Sequence, residues 1–142
     1  MYTINKVFLI YPAIFMMLLA LFLYTKNYLA NKNAVINGDI KFSYFKDYKG
    51  EVPYYVSISR QTLKNQFELP VFFYFLISII IAFDSISFFD LILAWLFVIS
   101  RYLHCYIRLS SNNIKHRSKS FTFGLLILVV WWIIFLFRVI NY

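Results

Sequence analysis

Glu68 stands directly before Leu69-Pro70-Val71-Phe72-Phe73-Tyr74-Phe75, a run apolar enough to lie in a membrane. An ionised carboxylate there is costly and needs a partner or a purpose. Candidate partners lie further along. Arg101, His104, Cys105 and Arg108 follow the spacing i, i+3, i+4, i+7 and share one helix face. Glu68 itself follows Gln61 and Asn65 in an i, i+4, i+7 series. One glutamate and two arginines at one depth form an ion-pairing set. Such a set either locks two helices together or meets a charged ligand. Asn65-Gln66-Phe67-Glu68 also has the form of a capping box that would start a helix at Gln66. Lys115-His116-Arg117 precedes Ser118 and reads equally as a basic patch facing lipid headgroups.

Other chemistry finds little support. Two histidines and one cysteine in different settings give no metal-ligand spacing. A lone His104 reads first as a hydrogen-bonded structural residue. Cys105, on an apolar helix, reads as an inert thiol. No P-loop, G-x-S-x-G or His-Glu-x-x-His pattern occurs.

The elements that must position these residues are membrane helices. The chain is 62% hydrophobic and 14% charged, against about 25% charged for soluble domains. The net charge of +8 therefore reads as basic loops beside anionic lipid, not as nucleic-acid contact. The three glycines form no G-x-x-x-G pattern, so helix packing rests on Ser, Ala and aromatic residues. Residues 7–25 are uncharged between Lys6 and Lys26 and predict a first helix, retained rather than cleaved as a signal peptide. A second helix is expected over 60–83, a third over 88–107 and a fourth over 121–140. The short turn Asp84–Ser87 makes the second and third antiparallel neighbours. Trp131-Trp132 lies well inside the fourth and reads as packing. In the loop 26–59, Asn37-Gly38-Asp39 and Lys49-Gly50-Glu51 signal turns, and alternation at Ile40, Phe42 and Tyr44 predicts a short strand. The expected fold is an all-α membrane protein, a four-transmembrane-helix bundle in one domain over 1–142. Lys26, Lys32, Lys41, Lys46, Lys49, Arg60 and Lys64 border the first loop, and Arg108, Lys115, Arg117 and Lys119 the second, 108–120. The opposite face has Lys6 and Arg138. The positive-inside bias predicts two cytoplasmic loops and both termini outside.

The chain resembles the MAPEG superfamily, membrane-associated proteins in eicosanoid and glutathione metabolism, and within it an uncharacterised bacterial-type branch. Asn65-Gln66-Phe67-Glu68-Leu69-Pro70-Val71-Phe72-Phe73-Tyr74, Ala94–His104 with its Arg101-x-x-His104 pair, Asn112 and Arg117-Ser118 carry the likeness, which covers residues 55–140. The resemblance implies a homotrimer in a bacterial inner membrane, both termini periplasmic. It implies glutathione as co-substrate, bound between subunits near the cytoplasmic face. Asn65, Glu68, Arg101 and His104 would contact it, joined by Arg60 and Arg108. Arg117 would favour the thiolate and Ser118 would donate a hydrogen bond to the sulfur. The implied activity is a transferase or peroxidase acting on apolar electrophiles that enter from lipid. The alternative is a non-catalytic scaffold or accessory subunit whose polar set locks the trimer. Two departures bear on that choice. Gln61 stands where members commonly carry arginine, with Arg60 one step earlier, and Arg108 stands where tyrosine is common.

Overall fold

The computed structural model describes residues 5–141. Five helices make four spanning segments: α1 (Val7–Ile36), α2 (Tyr54–Lys64) continued by α3 (Leu69–Ala82), α4 (Phe88–Leu109) and α5 (Ile114–Ile140). All four segments are long and apolar enough to cross a bilayer, and their outer faces expose Phe8, Phe15, Phe22, Phe75, Leu126 and Phe137. This is an integral membrane protein of all-α fold. Helix α1 packs on α2, α3 and α4, while α5 packs on α3 and α4. Phe73 and Phe97 stack at 4.8 Å in the core, with Trp131 edge-on to Phe73 at 6.0 Å. Aromatic packing thus fills the role that glycine plays in many membrane interfaces. One glycine does permit a close approach: a Cβ on Gly124 of α5 would meet Ser100 Oγ of α4 at 2.6 Å.

Several boundaries differ from the sequence-based expectation, each for a local reason. Helix α1 runs past Lys26 to Ile36, because Ala34 packs against Ile40, Tyr44 and Val56 in a small core of its own. It stops at Asn37, and Gly38 follows in the left-handed region at φ +77°. The strand predicted around Ile40–Tyr44 is a 3₁₀ turn, Phe42–Lys46. Helix α2 begins at Tyr54, directly after Pro53, rather than at Arg60. It gives way to a 3₁₀ turn at Asn65–Phe67 before α3 starts. Pro70 explains that break: it has no N–H to donate to the carbonyl of Gln66, and its ring clashes with a continuous helix there. Helix α5 starts at Ile114, not Phe121, because the Asn113 side chain caps it by accepting from the His116 N–H at 3.2 Å. The loop expected over 108–120 shrinks to the few residues between α4 and α5. The proposed domain limits, 1–142, extend slightly beyond the described residues.

The end of the bundle away from the loops is tied by a saturated network. Asp90 is fully buried at the start of α4. It accepts from Trp131 Nε1 at 2.7 Å and from Arg138 at 2.9 and 3.2 Å. Ser87 closes a capping box, its N–H donating to the Asp90 carboxylate at 2.7 Å. Lys6 pairs with Asp84 nearby at 3.0 Å.

Candidate anion site

Four buried polar residues line the α4 face predicted from spacing: Arg101 is 0% exposed, His104 2%, Cys105 2% and Arg108 8%. The facing elements are α2, the 3₁₀ turn and the first turn of α5. Arg108 Nη2 donates to Gln61 Oε1 at 2.7 Å. Asn65 lies beside both Arg108 and His104. With its amide oxygen turned to Arg108, Nη1 donates to it at 3.0 Å and the amide nitrogen reaches the Gln61 carbonyl at 3.3 Å. The charged donor makes this the stronger arrangement. Arg101 Nη2 reaches the Asn65 carbonyl at 3.4 Å, and its guanidinium lies 5.4 Å from the Phe121 ring centre. His104 Nδ1 lies 3.2 Å from the Arg117 carbonyl. A carbonyl only accepts, so Nδ1 carries the proton and His104 pins α4 to α5. Arg117 completes the set, its Nη1 donating to Asn112 Oδ1 at 2.7 Å. Asn112, at φ +47°, donates in turn to the Tyr54 hydroxyl at 2.8 Å and so links α5 to α2.

The cluster is cationic throughout. Among the described residues the ion pairs are Lys6–Asp84 and Arg138–Asp90, so Arg101, Arg108 and Arg117 have no acid partner. Arg101 Nε and Nη1 and Arg108 Nε are buried without any hydrogen-bond partner. A guanidinium does not shed its proton in a protein, and burying one uncompensated costs several kcal/mol. The Phe121 contact returns only about 0.5–2 kcal/mol. Buried guanidinium N–H groups without acceptors are chemically suited to an anion.

Three expected members make no ion pair or hydrogen bond with Arg101 or Arg108. Glu68 is exposed and pairs with neither Arg101 nor Arg108. The break at Asn65–Phe67 removes the expected helical register, and the Glu68 backbone, at φ −93° and ψ −94°, is not helical. Gln66 takes the inward place, its Nε2 donating to Cys105 Sγ at 3.2 Å. The capping box considered at Asn65–Glu68 does not form either, since no side-chain cap bond is made at either helix start. Arg60 bonds to the Tyr44 hydroxyl and lies 5.7 and 5.5 Å from the Tyr44 and Tyr48 rings, so it belongs to the first loop. Ser118 is exposed and lines an outer groove of α5 with Ile114, Lys115, Thr122 and Phe123, whereas Arg117 turns inward. Roles for Gln66 and Tyr54 carry no sequence signal, whereas Gln61 already stood on the predicted helix face. The Asp90 network had one, the Ser87-x-x-Asp90 capping pattern.

A family model described as the MAPEG family matches residues 8–137. The chain belongs to the MAPEG family. No curated protein and no solved structure matches it. The MAPEG match runs through all four spanning segments and includes every residue of the cation cluster. Membership ties the chain in general to glutathione-related or kindred membrane functions.

Proposed function

We propose that this MAPEG chain binds glutathione between neighbouring copies of a homotrimer, near the cytoplasmic face, and uses it against apolar electrophiles. One observation supports the reading: among the described residues Arg101, Arg108 and Arg117 gather around His104 without an ion-pair partner. Glutathione brings two carboxylates, which match guanidinium geometry, and one ammonium. The ammonium suits Glu68, which has no ion-pair partner among the described residues. A free thiol has a pKa of about 8.5, and a nearby guanidinium favours its thiolate. Arg117 is assigned that role. The thiol proton passes to water at the cytoplasmic face. The thiolate sulfur then forms a bond to the electrophilic carbon, and the displaced electron pair leaves with the leaving group. With a peroxide as substrate, sulfur bonds to one oxygen as the O–O bond breaks, the other oxygen leaves as an alkoxide that takes a proton from water, and a second glutathione thiol reduces the sulfenic acid to give glutathione disulfide and water. Ser118 faces outward from its own chain, an orientation suited to the sulfur of a site completed by a neighbouring copy. The apolar groove between α1 and α4, lined by Phe15, Trp95, Val98, Tyr102 and Tyr106 with a volume of about 520 Å³, offers a lipid-side approach for the second substrate.

A scaffold reading has one observation in its favour, since Asn112 and Gln61 already give Arg117 and Arg108 hydrogen-bond partners without a ligand. Thermal unfolding of the purified protein separates the two. Glutathione at about 100 times its Kd should stabilise the wild type by about 2.7 kcal/mol, and Arg117→Ala should shrink that shift. An unchanged melting temperature in millimolar glutathione would overturn the proposal. A scaffold predicts the same loss of stability in Arg117→Ala with and without glutathione.

A further inference from the structure

We infer that Gln61 is a positioning residue that keeps Arg108 cationic towards a ligand: it fixes the guanidinium through a neutral oxygen where a carboxylate would have cancelled it. The inference rests on reading the cation cluster as a ligand site.

The Gln61 amide is held at both ends. Its Nε2 donates to Ser57 Oγ at 3.0 Å, one turn earlier on α2, which turns Oε1 to Arg108 Nη2 at 2.7 Å. Asn65 supplies a second neutral oxygen to Nη1 at 3.0 Å in the orientation given above. Two amides thereby fix the plane of a side chain that is 8% exposed without adding any negative charge. The Nε–H edge remains buried and unpartnered, and a carboxylate can take that edge together with a neighbouring N–H. A glutamate at 61 has nearly the same shape. It would accept from Ser57 and Arg108 alike, and it would form the ion pair that a purely structural tie between α2 and α4 calls for. The chain carries the amide instead, and among the described residues the neighbouring Arg101 and Arg117 likewise form no ion pair.

Gln61→Glu separates a tie from a positioning role, because the two predict opposite splits between stability and binding. Melting temperatures of the purified protein are read with reduced glutathione and with succinate, a dicarboxylate lacking thiol and ammonium, at matched ionic strength. Wild type should be stabilised by both. Gln61→Glu should melt higher without ligand and bind both anions about tenfold more weakly or worse. Equal affinity in Gln61→Glu and wild type overturns the inference and leaves the glutathione proposal standing. Wild type responding to succinate but not to glutathione, with the response lost in Gln61→Glu, supports the inference and overturns the glutathione proposal. No response to either anion overturns both. Should Gln61→Glu fail to fold, Arg108→Gln decides: it should lose the anion-dependent shift, and undiminished binding in that variant overturns the inference.

Discussion

At the residue scale the arginines of the candidate site are held by neutral groups. Arg101, Arg108 and Arg117 are each oriented by neutral oxygens, from the Asn65 carbonyl, Gln61 and Asn112. The arginines were legible in the sequence because charge is scarce in an apolar chain. Of their partners, Gln61 and Asn65 already stood on the facing helix at i, i+4 spacing, whereas the tie from Asn112 to Arg117 was not legible because an amide in a short turn has no distinctive neighbourhood. Glu68 misled for a related reason: its spacing to Gln61 and Asn65 assumes an unbroken helix, and Pro70 breaks it. Asn112 offers a test at this scale. Its φ of +47° suits glycine as well as asparagine, so Asn112→Gly should keep the turn while releasing Arg117 and Tyr54. Stability should change by no more than about 1–1.5 kcal/mol, while glutathione affinity, measured by calorimetry, should fall about tenfold. An unchanged affinity would show that Arg117 needs no such anchor.

At the scale of elements, α4 and α5 form a hairpin fastened at three levels. Asp90 meets Trp131 and Arg138 at one end, His104 meets Arg117 at the other, and about one turn from that second end Ser120 Oγ donates to the Ser100 carbonyl at 3.0 Å. The five donors to Asp90 occupy both its oxygens, so this acid is a fastening and not a ligand site. Asp90→Asn keeps the shape but leaves Arg138 without a counter-charge. Breaking a buried pair from one side costs about 3–5 kcal/mol. The Arg138 side chain is 23% exposed, which places the expected loss at the lower end, about 3 kcal/mol, read from thermal unfolding in detergent. A loss under about 1 kcal/mol would mean that solvent already screens the pair. Spacing alone located α3, α4 and most of α5 because their apolar runs are long. It missed the start of α5 because a basic first turn reads as loop until the Asn113 cap is seen.

At the scale of the whole molecule, the four-span bundle follows from composition, since so apolar a chain leaves few alternatives to membrane helices. Assembly is a different matter. Glu68 and Ser118, expected at the site, are both exposed on the single chain, and a symmetric assembly is the means by which one copy could supply what another lacks. Light scattering in mild detergent should return three copies per particle. A single copy that binds glutathione with undiminished affinity would remove the intersubunit placement.

The turn at Asn65–Phe67 also gives α2 the mechanics of a lever. With the fulcrum at Asn65, Gln61 sits about 6 Å along the arm and Tyr54 about 16 Å, at 1.5 Å per residue. Any tilt of α2 about that fulcrum displaces Tyr54 roughly two to three times as far as Gln61. Gln61 grips Arg108, and Tyr54 is coupled through Asn112 to Arg117. The short arm and the long arm therefore tie two cations, Arg108 and Arg117, to one and the same helix.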